Sequence, residues 1–215
     1  MNSLPFYRFR RGIAAFLVFI FSSLHVAQAA VAEKAETAVP LAVGAISPGV
    51  MLKAVGGVDF DLGAAMAAKP TVLIFYRGGW CPYCNTQLAE LQKYQDQFVA
   101  LGYQILAIST DAPEAMPATV EKNALSYTLL SDHAMNAAEA FGIAWKVPAE
   151  TASKYASRGI QLAPIPGSQG LHWLPVPSVF IIGKDKVIKA MFSDLNFKVR
   201  SPVASLLAAA QSAIK

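Results

Sequence analysis

The sequence predicts an α/β fold, a mixed central sheet flanked by helices, and three observations carry that prediction. Two apolar, β-branched runs, TVLIFY (71–76) and YQILAIST (103–110), have strand length and suit strands covered on both faces. Between them, Cys84, Leu88, Leu91, Phe98 and Leu101 recur at spacings of three, four and seven, the period of a helix. A strand, helix and strand of this length make a parallel pair with a right-handed crossover. Further on, SVFII and VIKAMF flank Gly183-Lys184-Asp185-Lys186, a hairpin signal that adds antiparallel strands.

In chain order, residues 1–29 read as a signal peptide. Arg8, Arg10 and Arg11 precede an apolar run over 12–24, and Ala27-Gln28-Ala29 forms a small-x-small cleavage site. His25 and Gln28 limit the run to 13 residues, short of the ~20 that a spanning helix needs. The expectation is export to the periplasm or beyond, with membrane contact only through an uncleaved leader. Residues 30–40 read as a short linker and 41–215 as one domain.

Within that domain, Gly56-Gly57 separates two short strand-like runs in MLKAVGGVDFDL, a β-hairpin. Gly78-Gly79 ends the first buried strand, and Gly102 stops the long helix that begins at Pro82. Asp111-Ala112-Pro113 turns into a helix around 114–124. YTLLS (127–131) is a short strand, and HAMNAAEAFG carries a further helix. The stretch 145–176 is the least regular, with a helix in AETASKYASRG followed by Pro- and Gly-rich chain. A connection of that length usually carries function or moves. Ser201-Pro202 caps a final helix, with proline expected at its first position.

The net charge of +4 belongs mostly to the leader, since without its three arginines 15 basic residues face 14 acidic ones. A nearly neutral body removes the electrostatic case for nucleic-acid binding.

Cys81 and Cys84 are the only cysteines. A C-x-x-C between a buried strand and a helix reads as a thioredoxin-like redox motif. Unpaired N–H groups and the positive dipole end at the helix start stabilise a thiolate. Cys81 at that start is therefore the expected exposed, attacking thiol, and Cys84, one turn in and facing the sheet, the shielded resolving one. Pro82 fits the first turn, where its missing N–H costs nothing. Lowering a thiol pKa from ~8.5 to ~6.5 raises its thiolate fraction at neutral pH roughly 25-fold. Reduced nucleophilicity takes back roughly 8-fold, leaving about threefold, which favours exchange chemistry. A zinc site needs four ligands, and the body adds only the isolated His133 and His172, so no metal is expected. A purely structural disulfide closing so short a loop gains little and is strained.

Five runs extend the reading: FYRGGWCPYCNTQLAEL, ILAISTD, LLSD, LPVPSVFII and DLNFKVR. Together they resemble the peroxiredoxin-like branch of the alkyl hydroperoxide reductase/thiol-specific antioxidant family, over residues 41–212. The resemblance implies a thioredoxin-like fold with an N-terminal β-hairpin extension and an insertion before the proline-bearing strand. It also implies that Cys81 and Cys84 form the redox centre, that Pro177 is a cis-proline opposite them, and that Arg200 lies near the site. Arg77, Trp80 and Trp173 are candidate substrate-binding residues, although aromatic packing explains the two tryptophans as well. No cofactor is implied. The expected partners are a hydroperoxide or disulfide substrate and a thioredoxin-type or other dithiol electron donor.

The chain departs from the family at one place. Peroxiredoxins carry P-x-x-x-T-x-x-C around the peroxidatic cysteine. With Cys84 in that role, Arg77 and Cys81 stand at the Pro and Thr positions; with Cys81, Ile74 and Gly78 do. The hydroxyl that orients peroxide is absent in both registers. Helix-start geometry selects Cys81 as the attacking sulfur, whereas the register that puts Cys81 in place of Thr selects Cys84. The expected function is that of an exported thiol oxidoreductase. A reductase of protein disulfides and a non-enzymatic holdase using 145–176 are the alternatives.

The leader gives the first test. Intact-mass analysis of protein recovered from a bacterial envelope should lack residues 1–29, and a mass retaining them would restore the membrane anchor.

Overall fold

The computed structural model describes residues 31–214; the leader and its cleavage site lie outside them. The domain is built on a seven-stranded sheet in the order β2-β1-β5-β4-β3-β8-β9. Its strands are β1 (Met51–Ala54), β2 (Asp59–Asp61), β3 (Thr71–Phe75), β4 (Gln104–Ser109), β5 (Thr128–Ser131), β8 (Ser178–Ile182) and β9 (Ile188–Ser193). β3, β4 and β5 run parallel, while β1 and β8 join them antiparallel. The expected crossover, hairpins and mixed sheet are all present.

Every residue of β3 is buried, because alternate side chains enter different layers. Val72 and Ile74, with Tyr76 just beyond, pack with Leu88, Leu91 and Phe98 of α2 (Pro82–Ala100) and with Val203 and Leu206 of α6 (Val203–Ala213). Leu73 and Phe75 enter the opposite layer with Leu62 and Met66 of α1 (Leu62–Ala68) and with Phe141. There Phe75, Phe141 and Phe180 cluster at centroid distances of 5.1, 6.0 and 5.0 Å. Both cysteines belong to the first layer.

Three elements were not legible in the sequence. α1 is short and Ala-rich, and its start is fixed by Asp61 Oδ1, which accepts the Ala64 N–H at 2.9 Å. β6 (Ala144–Val147) and β7 (His172–Pro175) form a separate two-stranded sheet inside the stretch expected to be irregular. Four residues bordered by proline carry too little period to read as strands. The helices α3 (Met116–Asn123), α4 (Asn136–Ala140) and α5 (Ala149–Ala156) lie where expected. The described part of the expected 30–40 linker is docked: Ala32 exchanges hydrogen bonds with Ala144 and Lys146 at 3.1 and 2.9 Å. Gly142, at φ +71°, permits this, since a Cβ there would stand 2.1 Å from the Val39 carbonyl oxygen.

Two proline expectations are corrected. Pro202 precedes the first residue of α6 instead of opening it. Val176–Pro177 is trans, as is every peptide bond among the described residues. Val176 N–H donates to Ile143 O at 2.8 Å and Val176 O accepts from Ser178 Oγ at 2.9 Å. These bonds hold the link from β7 to β8 extended, in the isomer that X-Pro favours by ~0.5–1 kcal/mol.

Candidate active site

β3 delivers the chain to Tyr76 and Arg77, and a two-glycine turn then carries it to the start of α2. Gly78 has φ +145°, and a Cβ there would meet Trp80 Nε1 at 2.4 Å and Asp111 Oδ1 at 2.7 Å. At Gly79 a Cβ would stand 2.0 Å from Thr119 Oγ1. The turn is held by three hydrogen bonds from two side chains. Asp111 Oδ2 accepts the Gly79 N–H at 2.8 Å, and Asn85 Nδ2 donates to Gly79 O at 2.7 Å and to Cys81 O at 3.2 Å. Asn123 Nδ2 in turn donates to Asn85 Oδ1 at 2.8 Å. Burial pushes the Asp111 carboxyl pKa up, and bonds from Gly79 and Ser109 oppose it.

Cys81 is the N-cap of α2 and Pro82 its first residue, as expected. Cys81 is not exposed, however: its relative exposure is 1%, against 0% for Cys84. It lies in the same apolar cluster as Cys84, with Trp80 packed against that cluster. A helix start alone gives electrostatics, not access.

The two sulfurs ionise unequally. The Cys81 pKa is lowered to about 6, first because the Cys84 S–H donates to its thiolate. Burial opposes this, while the Cys84 backbone N–H and the charges of Arg77 and Arg200 favour it. No side-chain cap hydrogen bond closes onto Cys81. Cys84 is pushed well above the usual thiol range by holding the proton for Cys81, then by burial and by the Cys81 charge. Opposing these are the Arg77 backbone N–H and Arg200. The resting pair is thus a Cys81 thiolate and a Cys84 thiol.

Arg200 reaches the site, with Nη2 3.5 Å from Cys84 Sγ and Nη1 donating to the carbonyls of Phe197 and Val199. Arg77 is 3% exposed and donates from Nη2 to the Tyr155 hydroxyl. Its guanidinium lies over the rings of Trp80, Tyr155 and Phe197, at 4.9, 5.3 and 4.2 Å from their centroids. Trp80 therefore belongs to the site. Trp173 does not join it: it sits on β7, packed on the other layer, with its Nε1 buried and unpartnered. Pro177 lines a cavity with Arg77, Tyr155 and Phe197.

Sequence reasoning missed Asn85, Asp111, Asn123, Tyr155 and Phe197 as site residues. Asn85, Asp111 and Phe197 fall inside the runs that carry the family resemblance. Tyr155 shows only a helical period, and Asn123 has no spacing that marks it.

A family model described as the AhpC/TSA family matches residues 43–191. The chain belongs to that family. It is 33% identical over 104 residues to Peroxiredoxin Bcp of Escherichia coli K12, covering 48% of this chain and 66% of that protein. With the chloroplastic Peroxiredoxin Q of Gentiana triflora it shares 31% over 100 residues, covering 46% of each. Among solved structures, Peroxidoxin BcpB of Mycobacterium tuberculosis superposes with a TM-score of 0.60 at 20% identity, over 79% of this chain and 96% of that one. Peroxiredoxin Q of Xanthomonas campestris gives 0.60 at 20% identity, over 77% and 92%. These likenesses establish the thioredoxin-like peroxiredoxin fold.

Within this AhpC/TSA chain the thiolate depends on its neighbour, which sets a pH test. Thiolate absorbance of the reduced protein should rise with pH through about 6. In Cys84→Ala the main cause of the shift is gone, so the midpoint should climb toward the ordinary ~8.5. An unchanged midpoint in that variant would contradict the shared proton.

Proposed function

We propose that this chain is an exported thiol peroxidase that cycles a Cys81–Cys84 disulfide and draws electrons from a thioredoxin-type dithiol donor. The observation that carries the reading is the placement of two buried cysteines at the start of α2, Cys81 as its N-cap and Cys84 one turn in with Arg200 Nη2 3.5 Å from its sulfur. Attack by Cys81 on the terminal oxygen of ROOH breaks the O–O bond. The departing alkoxide takes the Cys84 proton and leaves as ROH, with a sulfenic acid on Cys81. Oxidation ends the hold of the Cys81 thiolate on the Cys84 proton, the first reason that Cys84 resists ionisation. Favoured by Arg200 and the Arg77 N–H, the Cys84 thiolate then attacks the Cys81 sulfur. The S–O bond breaks, hydroxide leaves and gains a proton from solvent, and the disulfide forms. Two electrons and two protons from the donor dithiol restore the thiols.

Burial favours this reading over reduction of protein disulfides. A peroxide needs room for a few atoms, whereas a protein disulfide must bring its sulfur in line with one that is 1% exposed. The absent threonine hydroxyl leaves Arg77 and Arg200 as the groups that answer developing negative charge at the site. Export rests on the leader, and similarity to the peroxiredoxins of Escherichia coli and Gentiana triflora agrees with peroxide chemistry.

Stopped-flow mixing of the reduced protein with hydrogen peroxide and with a small alkyl hydroperoxide tests the proposal. Oxidation should be orders of magnitude faster than that of free cysteine, with insulin-disulfide reduction at background. Fast insulin reduction beside peroxide oxidation no faster than free cysteine would select the disulfide reductase instead.

A further inference from the structure

Arg77 favours the Cys81 thiolate by its charge, yet no carboxylate among the described residues pairs with it. Among the described residues the ion pairs are Lys53–Asp59, Lys146–Glu33, Lys154–Glu150 and Lys189–Asp185, none of which includes it. A buried guanidinium is costly unless it is paired and hydrogen-bonded. One of its N–H groups goes to the Tyr155 hydroxyl, and aromatic rings attend its charge. Rings bind a cation through its face and leave the fork of in-plane N–H donors for an oxygen acceptor.

Arg77 also lines a cavity of about 200 Å³. Trp145, Tyr155, Pro177 and Phe197 supply apolar wall, with Leu195 and Glu36 as exposed lining residues. Glu36 is the only other charged residue lining it, and none of the ion pairs among the described residues joins it to Arg77. A cavity of about 150 Å³ accommodates benzene. This one has room for a ring and a planar acid group, and the fork matches a carboxylate in bidentate fashion.

We infer that this cavity binds a small carboxylate with an apolar body, its oxygens on the Arg77 fork and its body against Trp145, Pro177 and Phe197. Neither cysteine lines this cavity, and its occupancy does not depend on whether Cys81 reduces peroxides, because binding is read on the resting reduced protein.

Calorimetric titration of the full reduced protein with benzoate, and with benzyl alcohol as its uncharged counterpart, tests this at neutral pH. Benzoate should bind about tenfold or more tightly than benzyl alcohol, as a charge-assisted pair implies. Arg77→Met should abolish that preference. Leu195→Trp, a change on the exposed wall that leaves the core alone, should weaken benzoate binding by about as much and guards against misfolding of the first variant. Equal binding of the two probes, benzoate binding indifferent to Leu195→Trp, or no binding of benzoate at millimolar concentration would overturn the assignment.

Discussion

A proton held on Cys84 and directed at the Cys81 sulfur sets the charge that the surrounding structure accommodates. Both sulfurs are buried, and a buried thiolate with no partner would take up a proton. The Cys84 donor is therefore what lets Cys81 remain ionised inside an apolar cluster. The same bond makes the roles unequal, since the sulfur that donates cannot ionise until the other is oxidised. Geometry fixes the arrangement: two residues of separation at a helix start put the second cysteine one turn above the first.

That geometry depends on the turn before the helix. Gly78 and Gly79 occupy space that a Cβ would contest with Trp80, Asp111 and Thr119. Asp111 holds the turn's N–H, and Asn85 holds two of its carbonyls. Asp111 follows β4 and Asn123 ends α3, so the position of Cys81 is tied to the parallel core of the sheet. The cations come from further away. Arg77 follows β3 directly, Arg200 precedes α6, and Tyr155 of α5 fixes the Arg77 head.

The mixed sheet, the crossover, the terminal hairpin and the helix start at Cys81 were legible because each rests on local period or on a turn residue. The redox pair was legible for the same reason, as two cysteines at fixed spacing behind a buried strand. Exposure of Cys81 was not, because burial is decided by packing between distant segments, and a helix start reports only dipole and register. Trp80 and Trp173 look alike in sequence, yet β3 and β7 place them on different layers. Pro177 carries no local signal for its isomer, and hydrogen bonds from Val176 to Ile143 and from Ser178 keep it trans. Tyr155 lies on α5, whose helical period was legible, but a local period does not report its contact with Arg77 across 78 residues of chain.

Which sulfur meets the oxidant is the question that bears most directly on this account. Brief exposure of Cys84→Ser and Cys81→Ser proteins to hydrogen peroxide, with sulfenic acid trapping and peptide mass spectrometry, answers it. The account predicts rapid labelling of Cys81 in the first protein and labelling of Cys84 no faster than a free thiol in the second. Rapid sulfenic acid formation on Cys84 in the Cys81→Ser protein would reverse the roles and contradict it.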